Sequence, residues 1–201
     1  MPQPMIISVA VEGLLDEAVA CRLINDVGGR LGSVYGKQGR QSLRKKIGGY
    51  NKAARHALWF VLVDLNGDAE CALLLRKSWL DAPEPRLCFR VAVRQVEAWL
   101  IADHEALATS LGVARSLVPS DPEALQNAKV EMVNLARRSR RKNSRADMVP
   151  REGSGRSIGP AYVSRLIEYV ERHWRPHVAA QKAESLRRAI TCLERLMRNA
   201  T

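Results

Sequence analysis

Leu58-Trp59-Phe60-Val61-Leu62-Val63, running straight into Asp64-Leu65-Asn66-Gly67-Asp68, decides the fold of this 201-residue chain. An unbroken apolar run rich in β-branched and aromatic residues reads as a strand buried on both faces, the pattern of a parallel sheet covered by helices. Met5-Ile6-Ile7-Ser8-Val9-Ala10-Val11 repeats the pattern and ends in Glu12-Gly13. In open α/β sheets, ligands collect outside the carboxyl ends of the strands. Glu12, Asp64 and Asp68 are therefore expected around one crevice. Crowded carboxylates repel unless a cation lies among them, and hard oxygen ligands suit Mg²⁺ or Mn²⁺. Taken singly, each acid has a plainer reading as a cap on the helix that follows its strand.

Outward from these two strands, helix and strand signals alternate. Leu15, Val19, Leu23 and Val27 recur at helical spacing and Gly28-Gly29 stops them. Residues 31–35 form a weak strand candidate, and 41–56 a polar helix interrupted at Gly48-Gly49. An amphipathic helix over 69–79 follows the Leu58–Val63 strand, and a proline-rich turn then leads to a strand over 87–93. Glu97 lies just past it, on the same edge as Glu12 and Asp64 if the strands are parallel; it equally suits the N-terminal dipole of its own helix. Trp99 and Leu100 read as core, and Asp103 as a cap for the next helix. The order implies a mainly parallel Rossmann-like α/β unit over residues 1–105.

Beyond residue 105 strand signals vanish, leaving a helical extension over 106–201. Ser120-Asp121-Pro122-Glu123 has the form of a capping box with proline in the first turn, predicting a helix through 124–136. Two further helices are predicted, one from near Pro160 and one over about 179–197. Before them, after the 124–136 helix, lies a basic connector over 137–157, in which Arg137, Arg138, Arg140, Arg141, Lys142 and Arg145 could track a phosphate backbone. A solvated, mobile charged loop is the other reading of that run.

Composition narrows the partners. A formal net charge of +11 favours polyanions. Lys37, Arg40, Arg44, Lys45, Lys46 and Lys52 form a second basic set between the first two acidic motifs. Aromatic residues make up 5%, too few for a base-stacking platform. Cys21, Cys71, Cys88 and Cys192 are widely spaced and read as buried thiols of a reducing compartment. No apolar stretch approaches the roughly 20 residues of a membrane span, so a cytoplasmic location is expected. No nucleophilic triad or P-loop can be assembled, and the histidines lack metal-ligand spacing.

Val11-Glu12-Gly13, Val63-Asp64-Leu65-Asn66-Gly67-Asp68 and Val96-Glu97-Ala98-Trp99-Leu100-Ile101-Ala102-Asp103 together resemble the toprim domain of topoisomerases, primases and overcoming-lysogenization-defect nucleases. More closely, they are similar to a toprim-like domain-of-unknown-function family whose members are often encoded beside ATPases. Ser185-Leu186-Arg187-Arg188-Ala189 is similar to that family's closing helix. The resemblance implies Glu12 as general acid/base or metal ligand, Asp64 as leading metal ligand, and Glu97 in the catalytic set. It also implies an aspartate at position 66 and often a glutamate at 95, where this chain has Asn66 and Gln95. Asn66 can still offer a carbonyl oxygen to a metal, and Asp68 can supply the missing charge. Two readings follow. One is a Mg²⁺- or Mn²⁺-dependent nuclease acting on nucleic-acid phosphodiesters, partnered by an ATPase in a defence-type system. The other is a catalytically silent toprim-like module that binds an ATPase or nucleic acid.

Overall fold

The computed structural model describes residues 5–67 and 69–199. Strands β1 (Ile6–Val11), β2 (Arg30–Gly36), β3 (Leu58–Asp64) and β4 (Leu87–Ala92) form one parallel sheet in the order β2-β1-β3-β4. Helices α1 (Leu14–Asp26), α2 (Arg40–Ala53) and α3 (Ala72–Trp79) make the crossovers. This is a doubly wound, Rossmann-like α/β arrangement. The remaining described residues carry no strand, and no helix among them is long and apolar enough to cross a membrane.

Period-two alternation sorts the strands between two cores. Ile7, Val9, Val11, Phe60, Leu62, Cys88 and Ala92 face one helical layer, whereas Ala10, Trp59, Val61, Val63, Phe89 and Val91 face the other. The second layer is α2 and α3, anchored by Leu43, Ile47, Tyr50, Leu75 and Trp79. That anchoring overrides the predicted break in α2: Gly48 and Gly49 are exposed, and the helix continues through them because Ile47 and Tyr50 on either side are buried. The first layer contains α1 together with the helices that follow β4. These are α4 (Val96–Ala102), α5 (His104–Leu111), α6 (Ala128–Arg137), α7 (Lys142–Met148), α8 (Tyr162–Arg172), α9 (Pro176–Ala179) and α10 (Glu184–Arg198). Trp99 is fully buried, and its carbonyl accepts from Trp174 Nε1 at 3.2 Å. Asp103 caps α5 as predicted, accepting from Ala106 N, and also receives a two-pronged Arg175 guanidinium.

Several local expectations are corrected. The chain from Ser120 to Glu123 starts no helix; α6 begins at Ala128, capped by the Asn127 side chain at Val130 N. The predicted final helix forms as α10 but starts at Glu184, after a turn over 180–183 that follows the short α9. The basic segment contains a helix, α7, where a connector was expected. Of the four thiols only Cys88 is buried; Cys21 and Cys192 are half-buried, and Cys71 is exposed just before α3.

Glu123, freed from its own helix, caps another. Its carboxylate accepts from Glu184 N at 3.0 Å and Ser185 N at 2.9 Å, satisfying amides at the start of α10. The Ser185 hydroxyl donates to the same carboxylate, and accepts from Trp99 Nε1 at 2.7 Å and Val93 N at 3.2 Å. One oxygen thus joins α10, α4 and the end of β4. Ser185→Ala leaves a buried indole N–H and a backbone amide unpaired, and should lower stability by roughly 1–3 kcal/mol. Urea denaturation should show this as a lower midpoint with an unchanged slope.

Candidate functional site

The order β2-β1-β3-β4 sends the chain one way from β1 and back the other way to β3, so the crevice between the ends of β1 and β3 is the topological switch point. Glu12 follows β1 directly and Asp64 closes β3. Glu12 Oε1 accepts from the Asp64 backbone N–H at 3.2 Å and from Arg40 Nη1 at 3.2 Å. Arg40, at the start of α2, also donates to the Asp64 carbonyl and lies 5.1 Å over the Trp79 ring. Asp64 Oδ1 accepts from Val96 N at 2.9 Å, at the N-terminus of α4. Neither acid caps the helix following its own strand: Gly13 before α1 and Cys71 before α3 provide no side-chain cap.

Glu97 is 2% exposed and Asp16, on the first turn of α1, is 7% exposed. Glu97 Oε1 accepts from the Tyr162 hydroxyl at 3.3 Å and sits 3.6 Å from Lys129 Nζ. Glu97 Oε2 and Asp16 Oδ1 are buried without a hydrogen-bond partner. Asp16, Asp64, Glu97, Lys129 and Tyr162 line one cavity of about 220 Å³. The crowding perturbs every acid whose titration is resolved there. Burial, then the charges of Glu12 and Glu97, pushes Asp16 from its ordinary 3.8 to about 7. Burial, then Asp16, Glu97 and Glu12, holds the Asp64 carboxyl well above the usual range. Burial and the adjacent Glu97 likewise raise the Tyr162 phenol. Such a crevice near neutrality takes up either protons or cations. Its orphaned oxygens and all-carboxylate acids suit a hard divalent ion. As the side chains stand, no group of three His, Cys, Asp or Glu among the described residues is arranged to hold one.

Of the residues expected from sequence, Glu12, Asp64 and Glu97 come together, while Asp68 lies outside the described residues. Asn66 Oδ1, the oxygen expected to face a metal, accepts from Gln95 Nε2 at 3.2 Å, and Gln95 Oε1 accepts from Lys129 N at 3.0 Å. Asp16, Arg40 as a partner of Glu12, Lys129 and Tyr162 were not foreseen. Asp16 had a readable signal, because it interrupts the otherwise apolar buried face Leu15, Val19, Ala20, Leu23 and Ile24 of α1. Lys129 and Tyr162 had none, since they arrive through tertiary packing of α6 and α8.

The basic run divides. Arg137, Arg138, Arg140, Arg141 and Lys142 are exposed, but Arg141 is also tied to the fold. Arg141 Nη1 donates to Ser110 O at 2.8 Å and Arg145 Nη1 donates to Ser139 O, so these two brace α7 against the rest of the fold. Arg141 lies directly before α7 and Arg145 within it, where the other reading was a charged loop.

Because Asp16 keeps its proton in the folded chain between its ordinary 3.8 and about 7, stability falls as pH rises through that window. Asp16→Asn should abolish that part of the slope and be roughly 1–3 kcal/mol more stable than the native chain at about pH 8, with little difference near pH 4. Urea midpoints at the two pH values check it. No family model matches the chain, and comparison with curated proteins and with solved structures likewise finds no match.

Proposed function

We propose that this protein is a Mg²⁺- or Mn²⁺-dependent nuclease of toprim type, acting on nucleic-acid phosphodiesters. The observation that supports it is the convergence of Asp16, Asp64 and Glu97, with Glu12 behind Asp64, on one cavity at the switch point of the sheet. Asp64 and Glu97 would hold the ion, joined by Asp68. When bound, the ion neutralises charge developing on the phosphate. Glu12, clamped by Arg40, fixes the Asp64 backbone. Asp16, protonated up to about pH 7, has a proton to give to a leaving oxygen. The net charge of +11 draws a polyanion toward this crevice.

One observation favours the silent-module reading, in which the chain docks on an ATPase or on nucleic acid. Asn66 and Gln95 hydrogen-bond to each other, and Arg40 and Lys129 already bring positive charge to Glu12 and Glu97. The two readings separate with purified protein and supercoiled plasmid. The nuclease cleaves with Mn²⁺, stops in EDTA, and slows roughly a hundredfold or more in Asp64→Asn, which keeps an oxygen for Val96 N. Absent cleavage, together with no calorimetric heat from millimolar Mn²⁺, rejects the enzyme. A contaminating nuclease is recognised by surviving the substitution.

Nucleic-acid binding should use the exposed part of the basic run. Arg138→Ala with Arg140→Ala should weaken binding equally on unrelated sequences and flatten its salt dependence by roughly 0.9 per charge for a duplex. The melting temperature should not move. Arg141→Ala should instead lower stability by about 1 kcal/mol, through loss of its bond to Ser110. Filter binding over a salt series and thermal melts distinguish the two effects.

A further inference from the structure

β4 is an edge strand. Along it Leu87, Phe89 and Val91 face one core while Cys88 and Ala92 face the other, so the alternation places Arg90 with the second set, toward α10. An arginine in the middle of a largely buried strand needs an anionic partner. Among the described residues no carboxylate pairs with Arg90, its nearest acidic groups are the thiols Cys192 and Cys88, and its Nε is buried without a hydrogen bond. The same holds for Nε of Arg76, on α3. Arg187, Arg188 and Arg195 reach the same place from α10.

These five arginines line a pocket of about 440 Å³ that runs along the outer edge of β4, between α3 on one face of the sheet and α10 on the other. Thr191 and Ser185 add hydroxyls. The two carboxylates at its rim are already engaged, Glu123 at the start of α10 and Glu184 with Arg188 and Arg187. Burial lowers the Arg90 guanidinium from its ordinary value, and Arg76 and Arg188 push the same way against the neighbouring thiols Cys192 and Cys88. Cys192 registers the same field. The hydrogen bond with Cys88, together with Arg90 and Arg195, outweighs burial and draws its thiol down to about 6. Five arginines share a concave site with two carboxylates that are already engaged, and the Nε atoms of Arg76 and Arg90 lack partners, so an anion with several oxygens would stabilise them. Guanidinium planes match phosphate oxygens two at a time.

We propose that the arginine-lined pocket between β4, α3 and α10 is a binding site for a phosphate group. It shares no residue with the acidic crevice. The phosphate belongs to a nucleic-acid strand or to a free nucleotide, two sources with one chemistry.

The test uses the full chain in EDTA, which silences any metal-dependent binding in the crevice and so separates this site from the nuclease reading. Calorimetry is run with pyrophosphate, ATP, and a short single-stranded oligonucleotide with and without a 5′-phosphate. Pyrophosphate should bind and compete with the others. Arg187→Gln with Arg188→Gln, both exposed and tolerant of substitution, should weaken binding roughly tenfold or more. Arg90→Gln should do so at least as strongly, with circular dichroism confirming that it folds. Arg151→Gln with Arg156→Gln, exposed and outside both pockets, should leave pyrophosphate affinity unchanged. Preference for the 5′-phosphorylated strand identifies a nucleic-acid end. Equal binding of both strands identifies the backbone, and ATP alone identifies a nucleotide. No binding of any probe at millimolar concentration, or binding that the α10 arginine variants leave intact, overturns the proposal.

Discussion

The buried carboxylate of Asp64 is the constraint on which the rest of this structure turns. It closes the central strand, holds the start of α4 through Val96 N, and has its own backbone fixed by Glu12 and Arg40. Removing a carboxylate from water is unfavourable unless charge or hydrogen bonds replace the solvent. Here that requirement assembles neighbours from distant parts of the sequence. Glu97 arrives on the helix that Asp64 caps. Lys129 and Tyr162 then arrive because Glu97, once buried, needs partners. The helical half is thus drawn onto the sheet by polar needs as well as apolar ones.

The chain answers this environment with positive charge of its own. Arg40 and Lys129 are supplied by the chain, at fixed positions and with limited reach. They leave Asp16 Oδ1 and Glu97 Oε2 without partners, and two carboxyls with raised proton affinity. That residual demand sets this crevice apart from a satisfied structural cluster. A satisfied cluster would show ordinary or depressed carboxyl titration.

The sheet was legible because its signals are local. Apolar runs at Ile6–Val11, Leu58–Val63 and Leu87–Ala92 demand burial on both faces, and only a parallel sheet between helices provides it. Placing Glu12, Asp64 and Glu97 on one edge followed from topology alone. The errors share a cause, which is that local chemistry was overruled at a distance. Ser120 and Glu123 have the spacing of a capping box, yet Glu123 serves α10, more than sixty residues away. Gly48-Gly49 would break an isolated helix, yet Ile47 and Tyr50 pin α2 to the sheet. Asp16 was passed over because an acid in a first turn ordinarily needs no explanation beyond the dipole, although its place on the buried apolar face of α1 was legible.

The three-way junction at Ser185 also bears on how the chain is made. Val93 and Ser185 are separated by 92 positions, so β4 is complete long before α10 leaves the ribosome. During that interval the edge strand and the apolar face of Cys88 and Ala92 stand uncovered. Uncovered edges are templates for pairing with other chains. The arginine at position 90 interrupts that surface with a charge that discourages a second strand from docking. A side chain that is awkward in the finished fold is thus of the kind that shields an edge strand whose covering helix is still missing.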